Sequence, residues 1–141
     1  MKRVITVTLL FLISGTICIE TLGQSKKNYL NRARLMLDFA VRTNEYVRQR
    51  LMDKELAHFA HTMVEKNVSE AEKMTPPSSL SLLHPHLLLV LENTERALSH
   101  AKKGEFAKYR KQQRTLKKEL QLLEAIAERE RIDLYIWGYA P

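Results

Sequence analysis

Histidine is the residue type here with the most chemical reach, and all five copies fall between His58 and His100. His58-x-x-His61, with Glu65 one turn further on, offers two imidazoles and a carboxylate at helical spacing. That is a donor set suited to zinc or copper. If the helices carrying them fold back through the Pro76–Pro77 loop, His100 arrives beside His58 and His61. These three are then the candidate ligands of a metal- or cofactor-binding carrier or sensor. The wheel argues for a plainer reading. His58, Glu65 and His100 project away from their apolar stripes and His61 flanks its own, whereas a bundle metal site needs inward ligands. Surface histidines are expected, with no resident cofactor.

The second candidate is a charge pattern. Lys102 to Leu120, "KKGEFAKYRKQQRTLKKEL", holds eight Lys or Arg against two Glu. At 100° per residue, Tyr109, Leu116, Leu120, Leu123 and Ala127 share one sector. Arg110, Lys111, Arg114, Lys117 and Lys118 lie opposite, with Lys108 nearby. A bundle helix needs a solvated side, which explains the polarity but not the sign. The stretch Glu55–Glu95 is acidic while both flanking regions are basic, so the surface field is asymmetric. Such a face would draw an anionic membrane or envelope surface, or an acidic protein partner. Nucleic acid is not expected, because Phe106 and Tyr109 belong to the apolar stripe and do not interleave with the cations as stacking platforms.

Enzyme chemistry finds little support. No glycine-rich phosphate loop or Gly-x-Ser-x-Gly elbow is present. The single cysteine, Cys18, lies in the apolar N-terminal run. Carboxylates stand at helix-pairing distance from bases, as Glu92 does from Arg96. A non-enzymatic interaction module is the expectation.

That N-terminal run sets an expected compartment. Lys2-Arg3 precedes "VITVTLLFLISGTICI", Val4–Ile19, which carries no charge, and "TLG" follows at 21–23. Basic start, apolar middle and small-residue exit make a secretory signal, residues 1–23, with export to the periplasm or beyond. An uncleaved membrane anchor and a lipid-modified Cys18 are the alternatives. Removing Lys2, Arg3 and Glu20 takes the formal charge from +7 to +6, still basic.

The elements that must position these residues read as helices. Leu30, Ala33, Leu37, Ala40, Val47 and Leu51 form one stripe. Leu56, Phe59/Ala60, Met63, Val64, Ala71 and Met74 form another in a different phase, with Asp53 as N-cap between them. "TPPSSLSLLHP" is a loop, and Pro85 opens a third helix with Leu87, Leu91, Thr94, Leu98 and Ala101 inward. Gly104 ends it as a left-handed cap and forces an antiparallel hairpin into the fourth helix. An all-α, up-down-up-down four-helix bundle over 24–133 follows. Three helices with a long kinked first one is the alternative. Asn44 and Asn67 interrupt the stripes, either as inward register-setting amides or because the true stripes are slightly rotated.

The "TPP" loop (Thr75–Pro77) and the "AKKGE" link (Ala101–Glu105) give an architecture that resembles small periplasmic four-helix bundles such as cytochrome b562. That resemblance implies a haem held by a methionine early in the first helix and a histidine late in the fourth. Met36 matches the first position, but Glu105–Pro141 contains no histidine, so the likeness is one of shape and haem binding is not implied.

The first helix carries a second apolar strip, Leu35, Phe39 and Tyr46, outside its main stripe. An aromatic tail, 134–141, holds the only tryptophan, Trp137. The tail is expected to cover the strip, with a dimer seam, a partner-binding patch or aromatics seated at a membrane interface as the alternatives.

Overall fold

The computed structural model describes the backbone of residues 2–134 and the side chains of 26–134. The side chains of the expected signal segment, 1–23, and the tail from Tyr135, Trp137 included, lie outside the described residues. Helix α1 is Lys2–Gln49, α2 is Lys54–Glu72, α3 is Leu83–Lys102 and α4 is Phe106–Arg129. A short 3-10 turn, Ser78–Leu80, lies in the loop before α3. The described residues contain four helices and no strand, packed as a helical bundle.

The break between α1 and α2 is real, and its cause is local. Asp53 leaves the helical conformation, and its Oδ1 accepts from the Leu56 amide at 2.9 Å, satisfying an end donor of α2. Gly104 takes φ +74°, and the Glu105 amide reaches back to the His100 carbonyl at 2.9 Å, closing the end of α3. The end of α4 repeats that design without a glycine. Arg131 is at φ 53°, and the Ile132 amide donates to the Ala127 carbonyl at 2.8 Å.

Helix α3 is the middle of the molecule. It packs most extensively on α2 and α4, while α1 lies across α2 and α3. Leu83, Leu87, Leu91 and Leu98 are fully buried, and Thr94 beside them returns its hydroxyl to the Val90 carbonyl at 2.8 Å. Each such leucine contributes about 1.5–3 kcal/mol, against under about 1 kcal/mol for an exposed pair such as Glu92–Arg96. Packing therefore decides the fold.

One stripe is rotated from the sequence reading. Helix α2 buries Ala57, Ala60, His61, Val64 and Ala71, whereas Phe59 is 65% exposed and Met63 only half-buried. The rotation brings a polar residue, His61, inward because partners on α3 receive it.

Candidate functional site

The cationic face of α4 comes through intact. Lys108, Arg110, Lys111, Arg114, Lys117 and Lys118 are all exposed. Lys108 stands apart, since its ammonium is held by Glu105 Oε1 at 2.7 Å. No ion pair among the described residues involves the other five. They occupy about 12 Å of helix length, at 1.5 Å per residue, and a sector roughly 120° wide at 100° per residue. The apolar stripe beneath them, Tyr109, Leu116, Leu120 and Leu123, is buried and fixes the helix rotation, so the cations face outward.

Helix stability gives no reason for their order. The helix dipole favours acids near the N-terminal end and bases near the C-terminal end. Helix α4 runs the other way, from Lys108–Lys118 to Glu119, Glu124 and Glu128. At that acidic end, burial and the nearby Glu128 push the Glu124 carboxyl above its usual range.

The three candidate metal ligands are engaged separately. His58 is exposed on α2. His61 is 7% exposed, with Nε2 2.5 Å from Glu95 Oε1 and Nδ1 3.0 Å from the Lys102 ammonium. An ionised carboxylate only accepts, so the Nε2 proton points to Glu95, while the Lys102 ammonium lies near both ring nitrogens, 3.0 Å from Nδ1 and 3.4 Å from Nε2. The surface placement expected for His61 is thus corrected: it is a buried link between α2 and α3. His100 Nδ1 pairs with Glu105 Oε2 at 2.7 Å. Among the described residues, no three His, Cys, Asp or Glu side chains come together in a metal-holding cluster.

Two further polar connections have partners that the sequence did not reveal. Asn44, 6% exposed, exchanges both amide hydrogen bonds with Gln113, at 2.9 and 2.7 Å, so it does point inward. Asn67 is only half-buried. Tyr29 shares a 2.8 Å hydrogen bond with His84 Nδ1, tying α1 to the start of α3. Burial pushes the Tyr29 phenol up to about 12 and holds the His84 imidazole below its ordinary value. His86 Nδ1 and Glu119 Oε2 face each other at 3.8 Å, both buried without a hydrogen-bond partner.

The strip on α1 is exposed as read: Leu35 is 70%, Tyr46 44% and Phe39 37% accessible. Arg50 covers one side of the Tyr46 ring, its guanidinium 4.6 Å from the centroid. Among residues 26–134, whose side chains are described, no helix is long and apolar enough to cross a membrane.

Comparison with protein-family models, with curated proteins and with solved structures yields no match. The geometry alone therefore defines the class: an all-α bundle whose fourth helix presents a row of cations unpaired among the described residues.

Proposed function

We propose that this chain is an exported, non-catalytic interaction module that holds an anionic envelope surface against the outer face of α4. One observation carries the reading: Arg110, Lys111, Arg114, Lys117 and Lys118 are exposed together and have no acidic partner among the described residues. Five uncompensated charges on one short face set up a positive potential that a lipid phosphate or wall polyanion would relieve. Each base at an anionic membrane contributes about 1 kcal/mol, so the face supplies useful attraction without any pocket. Recognition would be by charge density, with little demand on ligand shape.

Co-sedimentation with phosphatidylglycerol-containing vesicles tests this, comparing the parent with a Lys111→Ser/Arg114→Ser/Lys118→Ser variant. Both share the apolar N-terminal segment, so the difference isolates α4. Loss of three charges is expected to weaken binding by about 100-fold at low salt, with the gap closing as salt rises. Equal retention of the two chains, or a salt-independent difference, sinks the lipid reading. A charge-dependent preference for an acidic polypeptide over vesicles would point to a protein partner.

A further inference from the structure

Between α1 and α2 runs an apolar groove of about 330 Å³, lined chiefly by Phe39, Tyr46, Leu56, Phe59 and Met63. Its wall on α2 holds residues that the rotation of that helix leaves outside the core, with Phe59 65% exposed. The volume lies at the lower end of the range for ligand sites, about 300–1,000 Å³. The shape is long, since Phe39 and Tyr46 stand about 10 Å apart along α1. A slot of that size takes one narrow apolar chain. A helix, about 10–12 Å across with its side chains, would rest on the rim without filling it.

The rim adds a sign. Arg42 at its edge is already paired with Asp38 at 2.9 Å. Arg50, just past the end of α1, is exposed and lies over the Tyr46 ring, its guanidinium 4.6 Å from the centroid. On α2, Lys66 is exposed one turn beyond Met63, on the side that carries Phe59. Neither Arg50 nor Lys66 enters an ion pair among the described residues. The short link at Asp53 turns α2 back along α1, so Arg50 lies toward the Tyr46 end and Lys66 toward the Phe39 end.

We propose that this groove binds a single-chain amphiphile with an anionic head, its acyl chain along the slot and its head beside Arg50 or Lys66. A fatty-acid carboxylate and a monoacyl phosphate share that chemistry. The chain exchanges water for apolar wall, and the head stays hydrated next to a cation, so neither part is left with an unmet polar group. A small polar ligand would find nothing along the slot to orient it. The site is separate from the α4 face and does not depend on it.

Decanoate, 1-decanol and decyltrimethylammonium carry chains of the same length under negative, neutral and positive heads. Isothermal titration calorimetry of the full chain, at low salt and below micelle-forming concentrations, should show one saturable site that favours decanoate over decyltrimethylammonium. Decyl phosphate, titrated alongside, tells which anionic head binds more tightly. Phe59→Ser is expected to weaken decanoate by about 10-fold, because the wall loses a phenyl ring. Arg50→Ser combined with Lys66→Ser should weaken it by up to about 5-fold, as for an exposed charge pair, and leave 1-decanol unchanged. All three side chains are exposed, so helical circular dichroism should be the same in every variant. The Lys111→Ser/Arg114→Ser/Lys118→Ser chain should bind decanoate as the parent does. Four results overturn the proposal. They are no saturable decanoate binding, equal affinity in the parent and Phe59→Ser, no preference for the negative head over the positive one, and binding that is lost in the α4 variant but kept in the groove variants.

Discussion

His61 Nε2 meets Glu95 Oε1 at 2.5 Å, and this bond joins α2 to α3 at a site where the imidazole is only 7% exposed. The Lys102 ammonium lies against the same ring, 3.0 Å from Nδ1 and 3.4 Å from Nε2. The ring is thus held by two side chains of α3, an acceptor and a donor.

Removing the ring leaves both partners short of a hydrogen bond. His61→Ala is expected to lower the unfolding free energy by about 1–3 kcal/mol, measured by urea denaturation. Glu95→Gln retains an acceptor oxygen and should cost less than His61→Ala. A His61→Ala loss below about 0.5 kcal/mol, within the range of ordinary surface changes, would show that the link carries no weight.

The same residue marks where sequence reading runs out. Gly104, Asp53 and the Pro76–Pro77 pair act on their own neighbours, so the helix boundaries they set were legible. The α3 stripe was legible because Leu87, Leu91 and Leu98 leave one choice of inward face, and Thr94 satisfies itself on Val90. On α2 the choice between the Phe59–Met63 face and the Ala57–His61 face depends on Glu95 and Lys102, 34 and 41 residues away. Hydropathy places Ala60, Val64, Ala71 and Met74 correctly and errs at the stripe's edge, since it counts Phe59 as inward and His61 as outward. The cations of α4 were readable from spacing, but their freedom from acidic partners needed the packed structure.

Asn44 and Gln113 supply a second polar test, between α1 and α4. Each amide donates to and accepts from the other, and the Tyr109 hydroxyl leans on Asn44 Oδ1 at 3.4 Å. Asn44→Leu alone strands the Gln113 amide and should destabilise by about 1–3 kcal/mol. Adding Gln113→Leu removes the stranded group, so the double variant recovers much of that loss. A double-mutant cycle by chemical denaturation checks it; additive losses would mean that the two amides are not coupled.

Acid should loosen the bundle from the His84 end. Burial holds the folded imidazole below its reference value of 6.5, so the unfolded chain binds the proton first as pH falls. Stability therefore rises with pH through this window and is lost as pH drops below about 6.5. Replacing His84 by Gln should flatten the dependence between about pH 7 and pH 5. A second limb comes from Glu105, brought from 4.5 down to about 2 by Lys108 and His100. Its contribution is present above about 4.5 and lost as pH falls toward about 2, and Glu105→Gln should remove it. Denaturation midpoints across pH, for parent and both variants, measure the two limbs; unaltered slopes in the variants would assign the acid sensitivity elsewhere.

The two matched helix ends make a final, paired prediction. Gly104 and Arg131 hold the same left-handed position after α3 and α4, at φ 74° and 53°. A Cβ at Gly104 would meet only the far end of the Lys54 side chain, at 3.3 Å, which can move aside. The cost of Gly104→Ala is then mostly backbone strain, about 1–2 kcal/mol. Arg131 already bears strain of that kind, so Arg131→Gly should stabilise, by less than the same amount because glycine also loosens the unfolded chain. Thermal melts of the two variants should move in opposite directions from the parent. If both fall, the Arg131 side chain is supplying more at that corner than its conformation costs.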